Sequence, residues 1–203
     1  GIFGFHDGKT INWWSCDPRM VLFPGKMKFN RRFRQQLRSD RFSVTFDTAF
    51  DPLVKSCAER EKTWLTDDRI SICNELHEMG HAHSVEVWNQ EKQLVGGVFG
   101  VDLGRIFIGE SSFHSEPSAS KIAIVYLACH LQHWGYSAFD IGGYQTYCEQ
   151  LGFENIPRAE YLKILPSSVD KDRKTGKWEM DPNLNVSAWK PGEPGSQIIK
   201  SSG

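Results

Sequence analysis

His77-Glu78-Met79-Gly80-His81 spells HExxH, the pattern in which two histidines one helical turn apart bind zinc and the glutamate activates a water. That chemistry needs both histidines on one continuous helix. Here Gly80 sits where a helix should stop, and His81-Ala82-His83 runs straight into a strand pattern, which would splay the ligands apart. No metal site is expected, and His77 reads as a helix-end histidine set against the carbonyl-rich terminus. A second cluster is electrostatic. Between Lys26 and Arg41 lie seven bases (Lys26, Lys28, Arg31, Arg32, Arg34, Arg38, Arg41) against one acid, Asp40. Lys28, Arg31, Arg32, Arg34 and Arg38 fall on or beside one helical pattern, where they could neutralise nucleic-acid phosphates. A merely solvated helix face is the competing reading.

The elements around these groups follow from apolar spacing. The first forty residues are rich in aromatics and turn formers and read as irregular structure leading to the basic helix around Phe29–Arg38. Ser43–Asp47 alternates like a strand, Asp51–Arg60 has helical spacing, and a helix starts near Thr66-Asp67 with Ile70, Cys73, Leu76 and Met79 on one face. His83–Trp88 and Leu94–Val101 alternate as a hairpin, and Arg105–Gly109 continues as a third strand. Pro117–Trp134 is the longest helical pattern, with Ile122, Val125 and Cys129 inward; Ser137–Ile141 is a buried strand and Tyr144–Leu151 a short helix. That order implies an α/β (α+β) fold, a mixed sheet flanked by helices. From Pro166 onward charge, Pro and Gly take over, with Trp178 and Trp189 isolated. The expected layout is a small N-terminal region with the basic helix (1–42), a catalytic domain (43–165) and an extended or disordered tail (166–203).

With 203 residues and a net charge of −1, the chain can bury a core, and nothing global selects nucleic acid or membrane. Five scattered cysteines without a CxxC fit a reducing compartment, and no apolar run is long enough to span a bilayer, so a cytoplasmic protein is expected. The start at Gly1, without an initiator Met, reads as processing or trimming.

Several segments taken in order carry a further message. They are Gly1-Ile2-Phe3; Trp13-Trp14-Ser15-Cys16-Asp17-Pro18-Arg19; Thr63-Trp64-Leu65; Leu76 through Trp88; Leu94-Val95-Gly96-Gly97-Val98-Phe99-Gly100; Gly109-Glu110-Ser111-Ser112-Phe113; Ala119-Ser120-Lys121; Asp140; and Ile156 through Leu162. Together this set resembles the leucyl/phenylalanyl-tRNA–protein transferase family, from the first residues to about Leu162. The resemblance implies a GNAT-like catalytic sheet after a short irregular N-terminal domain. The implied activity moves an amino acid from aminoacyl-tRNA to the N-terminal amine of a protein, typically one beginning with Arg or Lys, creating an N-degron. The partners are aminoacyl-tRNA and an acceptor N-terminus, with no membrane and a monomeric enzyme. No cofactor is required, because an aminoacyl ester is already activated and the enzyme mainly holds amine and ester together. An acyl-CoA donor would call for a pyrophosphate-cradling Arg/Gln-x-x-Gly-x-Gly/Ala loop after Leu94–Val101, and none is present.

The resemblance also assigns residues. Glu110 and Asp140 fall on catalytic positions, the latter in a proton relay. Trp64 falls on the tryptophan that stacks on the terminal adenine, and Phe5 on a second adenine-clamping position. Val98, Phe107, Ser111, Ser112, Ile124, Leu131 and Phe139 fall on or beside the donor side-chain pocket. Read alone, Trp64 and most pocket positions suit a core, Glu110 a surface or capping role, and Asp140 an N-cap. There are departures. The relay Asp-x-Gln is here Asp140-Ile141-Gly142, with Gln145 the nearest replacement; Phe5 stands for a tryptophan, and Ser112 for a bulkier apolar residue. They leave two alternatives: transfer of Arg to acidic N-termini, or a tRNA- or degron-binding module with impaired catalysis.

Overall fold

In the computed structural model, residues 3–6, 11–59, 63–169, 172, 174–193 and 195–199 are described, with side chains described from Trp14 onward. The strands are β1 (Phe3–His6), β2 (Ile11–Trp14), β3 (Arg19–Leu22), β4 (Ser43–Phe46), β5 (Ala82–Trp88), β6 (Leu94–Leu103), β7 (Ile106–His114), β8 (Ala138–Gly142) and β9 (Glu154–Ile156). The helices are α1 (Arg31–Leu37), α2 (Phe50–Ala58), α3 (Asp67–Glu78), α4 (Ala119–His133), α5 (Thr146–Glu149) and α6 (Arg158–Val169). β1 and β2 form a two-stranded ladder. The other strands make one seven-stranded sheet in the order β4-β5-β6-β7-β8-β3-β9, antiparallel throughout except for the β7–β8 pair, which α4 connects. Helices on both faces give the mixed α/β architecture that the element order implies.

Two adjacent glycines show how the faces are filled. Side chains alternate across a strand, so Gly96 and Gly97 in β6 point to opposite sides. A Cβ at Gly96 would lie 2.5 Å from the Cβ of Ala119 in α4, and one at Gly97 would lie 2.3 Å from Leu53 Cδ1 in α2. Removing both side chains lets α4 seat on one face and α2 on the other. Beneath α4, Val98, Phe107, Ile122, Val125, Leu127 and Phe139 pack with the rest of the main core. Under α2, Phe50, Leu53, Val54, Cys57, Leu65 and Phe99 form a second cluster against which Ile70, Cys73 and Leu76 of α3 rest. Met79, expected on that inward face, is 67% exposed because it already lies past the last turn of α3.

Other departures from the sequence pattern are also physical. Residues 19–22, which lack a clean period-2 alternation because all four are buried, form β3 inside the sheet rather than irregular structure. α6 runs through Pro166 to Val169, and Ser168 at its end accepts a backbone bond from Arg105 at 2.9 Å. The isolated tryptophans of the tail are both 0% exposed. Trp178 stacks on His83 at 3.9 Å between ring centroids, and its backbone N–H donates to Asp47 at 2.7 Å. Its ring also packs against Phe107, Trp134 and Tyr136, which ties this part of the tail into the main core. No helix among the described residues is long and apolar enough to cross a membrane.

Candidate functional site

β7 and β8 run side by side for three residue pairs, ending at Ile108↔Asp140, whereas β7 stays paired with β6 as far as His114. Beyond Ile108 the two central strands therefore diverge. The gap between them is a cleft of about 1180 Å³, walled by Gly109 to Ser115 on one side and by Ile141, Gly143, Gln145 and Tyr147 on the other. Trp64, Glu59 and Leu94 extend it on the α2–α3 side, Trp14 and Cys16 on the β2–β3 side, and Ser120, Lys121 and Ile124 of α4 lie along it.

Glu110 enters this cleft through a break in the sheet. The β6–β7 register runs Phe99↔Ser111 and then Gly100↔Gly109, which makes Glu110 the extra residue of a bulge. Bulges re-aim a side chain out of the alternating pleat. The neighbouring glycine is obligatory, since a Cβ at Gly100 would lie 2.1 Å from the Ile108 carbonyl oxygen. Removal from water raises the Glu110 carboxyl above its ordinary range, and the nearby Asp140 adds to the effect while Arg69 and Arg19 oppose it. A carboxylate so held is a stronger base than one in water and lies where an amine could meet it.

Asp140 is withdrawn from the cleft. It is 0% exposed, its Oδ2 accepts from Arg19 Nε and Nη2 at 3.1 and 2.6 Å, and its Oδ1 accepts from the Gly142 backbone N–H at 2.7 Å. Arg19 Nη1 also reaches Ser15 Oγ at 3.5 Å, and Arg158 bonds both the Ser15 carbonyl and Asp17 Oδ1 at 3.0 Å. Asp140 thus sits between the two segments that carry Cys16 and Gly143 to the cleft rim. Gly142 itself is buried with φ +72° and is not part of the wall.

Of the residues singled out in the sequence, Trp64, Val98, Glu110, Ser111, Ser112, Ile124, Phe139 and Gln145 converge on this cleft. Phe107 does not; it is 1% exposed and lies behind Phe139, its ring centroid 5.3 Å away. Leu131 is core. Phe5 has its backbone in β1 opposite Asn12, and its side chain lies outside the described residues. Lys28, Arg31, Arg32 and Arg38 are exposed, away from the cleft lining. Arg34 is committed to the fold: its Nη1 donates to the carbonyls of Ser187 and Trp189 at 2.8 Å each, and its guanidinium lies 4.7 Å over the Phe29 ring. Trp14, Glu59, Lys121 and Tyr147 join the cleft without having been singled out. Trp14 and Lys121 lie inside segments that carry the family resemblance, but Tyr147 carried no sequence signal, since its approach depends on the turn after β8.

The HExxH string is divided by the end of α3. The helix stops at Glu78, Gly80 has φ +72°, and His77 Nδ1 bonds the Ala82 carbonyl at 2.8 Å while its ring stacks on Phe50 at 4.2 Å. Cys73, which faces Glu110, has its thiol pushed up to about 11, chiefly by burial, and is a poor nucleophile.

Comparison with known proteins completes the picture. A family model described as leucyl/phenylalanyl-tRNA protein transferase matches residues 21–166. A leucyl/phenylalanyl-tRNA–protein transferase of Nitrosospira multiformis is 41% identical over 186 residues, covering 89% of this chain and 80% of the relative. One from Methylococcus capsulatus is 44% identical over 181 residues, covering 85% and 77%. Among solved structures, FemX is similar in fold with a TM-score of 0.52 at 12% identity, over 79% of this chain and 67% of that one.

Proposed function

The chain belongs to the leucyl/phenylalanyl-tRNA–protein transferase family, and on that premise we propose that the cleft between β7 and β8 joins a leucyl or phenylalanyl ester of tRNA to the N-terminal amine of a protein. The protein is an aminoacyltransferase acting from aminoacyl-tRNA on a protein N-terminus. The observation that carries the site assignment is Glu110, set by a bulge into a cleft with an apolar recess on one side and an aromatic ring on the other. Val98, Ile124 and Phe139 supply the recess for the donor side chain, and Trp64 supplies a face for the terminal base. Lys28, Arg31, Arg32 and Arg38 neutralise phosphates of the tRNA.

Chemically little else is required. An N-terminal amine has a pKa of roughly 7.7–8.0 and is substantially nucleophilic at neutral pH. Glu110 orients that amine and takes its proton as the carbonyl is attacked; the tRNA ribose oxygen leaves. Asp140 contributes by holding the strand end rather than by touching substrate. The acids Glu59 and Glu110 against the single lysine Lys121 favour an acceptor with a basic first residue, and speak against Arg transfer to acidic termini. The product, newly headed by Leu or Phe, becomes an N-degron.

The test is a transfer assay with tRNAs charged with labelled Leu, Phe or Arg and peptides beginning with Arg, Lys, Asp or Glu. Leu or Phe appearing on Arg- and Lys-headed peptides is the expected result. tRNA binding without transfer from any donor would identify a binding module instead.

A further inference from the structure

The cleft holds a second indole besides Trp64. Of the tryptophans whose side chains are described, Trp14 alone is exposed, at 62%. It ends β2 and lines the cleft, and the backbone around it is pinned. Trp14 pairs with Phe3 in the β1–β2 ladder, and just after it the Ser15 carbonyl and Asp17 Oδ1 each accept from Arg158 at 3.0 Å. Glu110 lies within electrostatic reach of both tryptophan ends of the cleft. It feels Arg69, whose guanidinium is 5.3 Å over the Trp64 ring, and Arg19, which reaches Ser15 beside Trp14 at 3.5 Å. Sheet order agrees, since α2 sits on β6 to one side of β7, while β3, which Trp14 precedes, lies beyond β8 on the other. An indole face held in water at a cleft rim is apolar surface open to cover, and its negative quadrupole favours a cation over an anion.

We propose that Trp14 selects the acceptor: its indole stacks on the cationic side chain of the acceptor's first residue while the α-amine of that residue meets Glu110. The inference rests on the transferase reading of this cleft. With the donor side chain among Val98, Ile124 and Phe139 and the terminal base on Trp64, the β2–β3 side is the wall that remains for the acceptor. A planar guanidinium covers an indole face more fully than a compact ammonium, so Arg outranks Lys at the first position. A carboxylate there would meet the repulsive face of the ring, so Asp and Glu are disfavoured by the same contact.

Peptides headed by Arg or by citrulline, which keeps the shape of arginine and loses its charge, separate the cation from the bulk of the side chain. Phenylalanyl-tRNA serves as donor, and the readout is the Arg-to-citrulline ratio of kcat/KM. Trp14→Leu is expected to lower that ratio about tenfold, with the loss in the peptide KM, and Trp14→Phe to lower it less because a weaker π face remains. Because the ratio is taken within one variant, a change in the folded fraction cancels. A ratio that Trp14→Leu moves by less than about twofold, the least that a cation–π contact supplies, would overturn the inference and leave the transferase reading standing. A weakened Kd for the charged tRNA with the ratio unmoved would also overturn it, by placing a tRNA base on the indole. Transfer to neither peptide by the unaltered chain would overturn both readings.

Discussion

Acidification is expected to loosen the attachment of the tail through one histidine, His130 on α4. Its ring is 0% exposed, with Nδ1 2.8 Å from the Tyr126 carbonyl and Nε2 3.2 Å from the Asp181 amide nitrogen. The Asp181 N–H donates to Nε2, so the neutral tautomer with its proton on Nδ1 satisfies both contacts. Protonation would turn the acceptor at Nε2 into a second donor aimed at an N–H. Phe46 and Trp134 pack against the ring, Asp181 favours the charge, and His133 and Lys174 oppose it. Burial dominates and brings the pKa down from 6.5 to about 4. The unfolded chain therefore binds a proton that the folded chain refuses as pH falls from 6.5 toward 4. The associated stability is complete above 6.5 and is lost through that window, amounting to about 3 kcal/mol. Urea unfolding followed by tryptophan fluorescence between pH 4.5 and 7.5 would measure it. His130→Gln keeps an acceptor and does not titrate, so its stability should be lower at pH 7 but flatter below 6.5. If native protein and the Gln variant lose stability in parallel across the window, the burial of His130 is not the cause.

Further outcomes are expected at the cleft and on α1. Glu110→Gln should cut kcat about a hundredfold or more, the low end of general-base contributions. It should also raise the melting temperature at pH 7: burial makes the charged form costly, so the gain should shrink as the pH falls and the native carboxyl protonates. Trp64→Ala should weaken aminoacyl-tRNA binding by about 1–3 kcal/mol, with Phe restoring most of it, as the Kd in a filter-binding assay. Arg31→Gln and Arg32→Gln should each reduce the slope of log affinity against log salt by about 1. Arg34→Gln should instead cost about 2 kcal/mol of stability, because its guanidinium holds two tail carbonyls.

Local patterns were legible where one chemical signal governs the outcome. The β5–β6 hairpin follows from alternation on both sides of Asn89–Gln93, and the end of α3 follows from Gly80 in the left-handed region at φ +72°. β3 escaped because a central strand buried on both faces loses its alternation, and only its partners β8 and β9, more than a hundred residues away, make it one. Trp178 and Trp189 escaped for a similar reason. Their segment is polar and rich in turn formers, and the contacts that bury Trp178, Asp47 and His83, lie more than ninety residues upstream. A single buried tryptophan per dozen residues supplies anchoring energy without any periodicity to announce it.

The site divides along the same line. Glu110, Ser111 and Ser112 stand together in one motif, and their strand carries them jointly into the cleft, whereas Tyr147 arrives through tertiary structure alone. Asp140 marks the boundary between pattern and geometry, for its position matches a relay but its carboxylate is spent on Arg19 and on the Gly142 amide. The glycine at 142 is then more than a missing side chain. With φ at +72°, its backbone is wound into a conformation that costs an L-residue about 1–2 kcal/mol, and the N–H it offers Asp140 depends on that winding. Gly142→Gln would therefore strain the Asp140 turn before its amide could reach any amine. A gain of activity in that variant would require the strand end to rearrange, visible as loss of the Arg19–Asp140 pair. Unchanged folding with reduced transfer would mark the turn itself, and not a side-chain relay, as what β8 contributes.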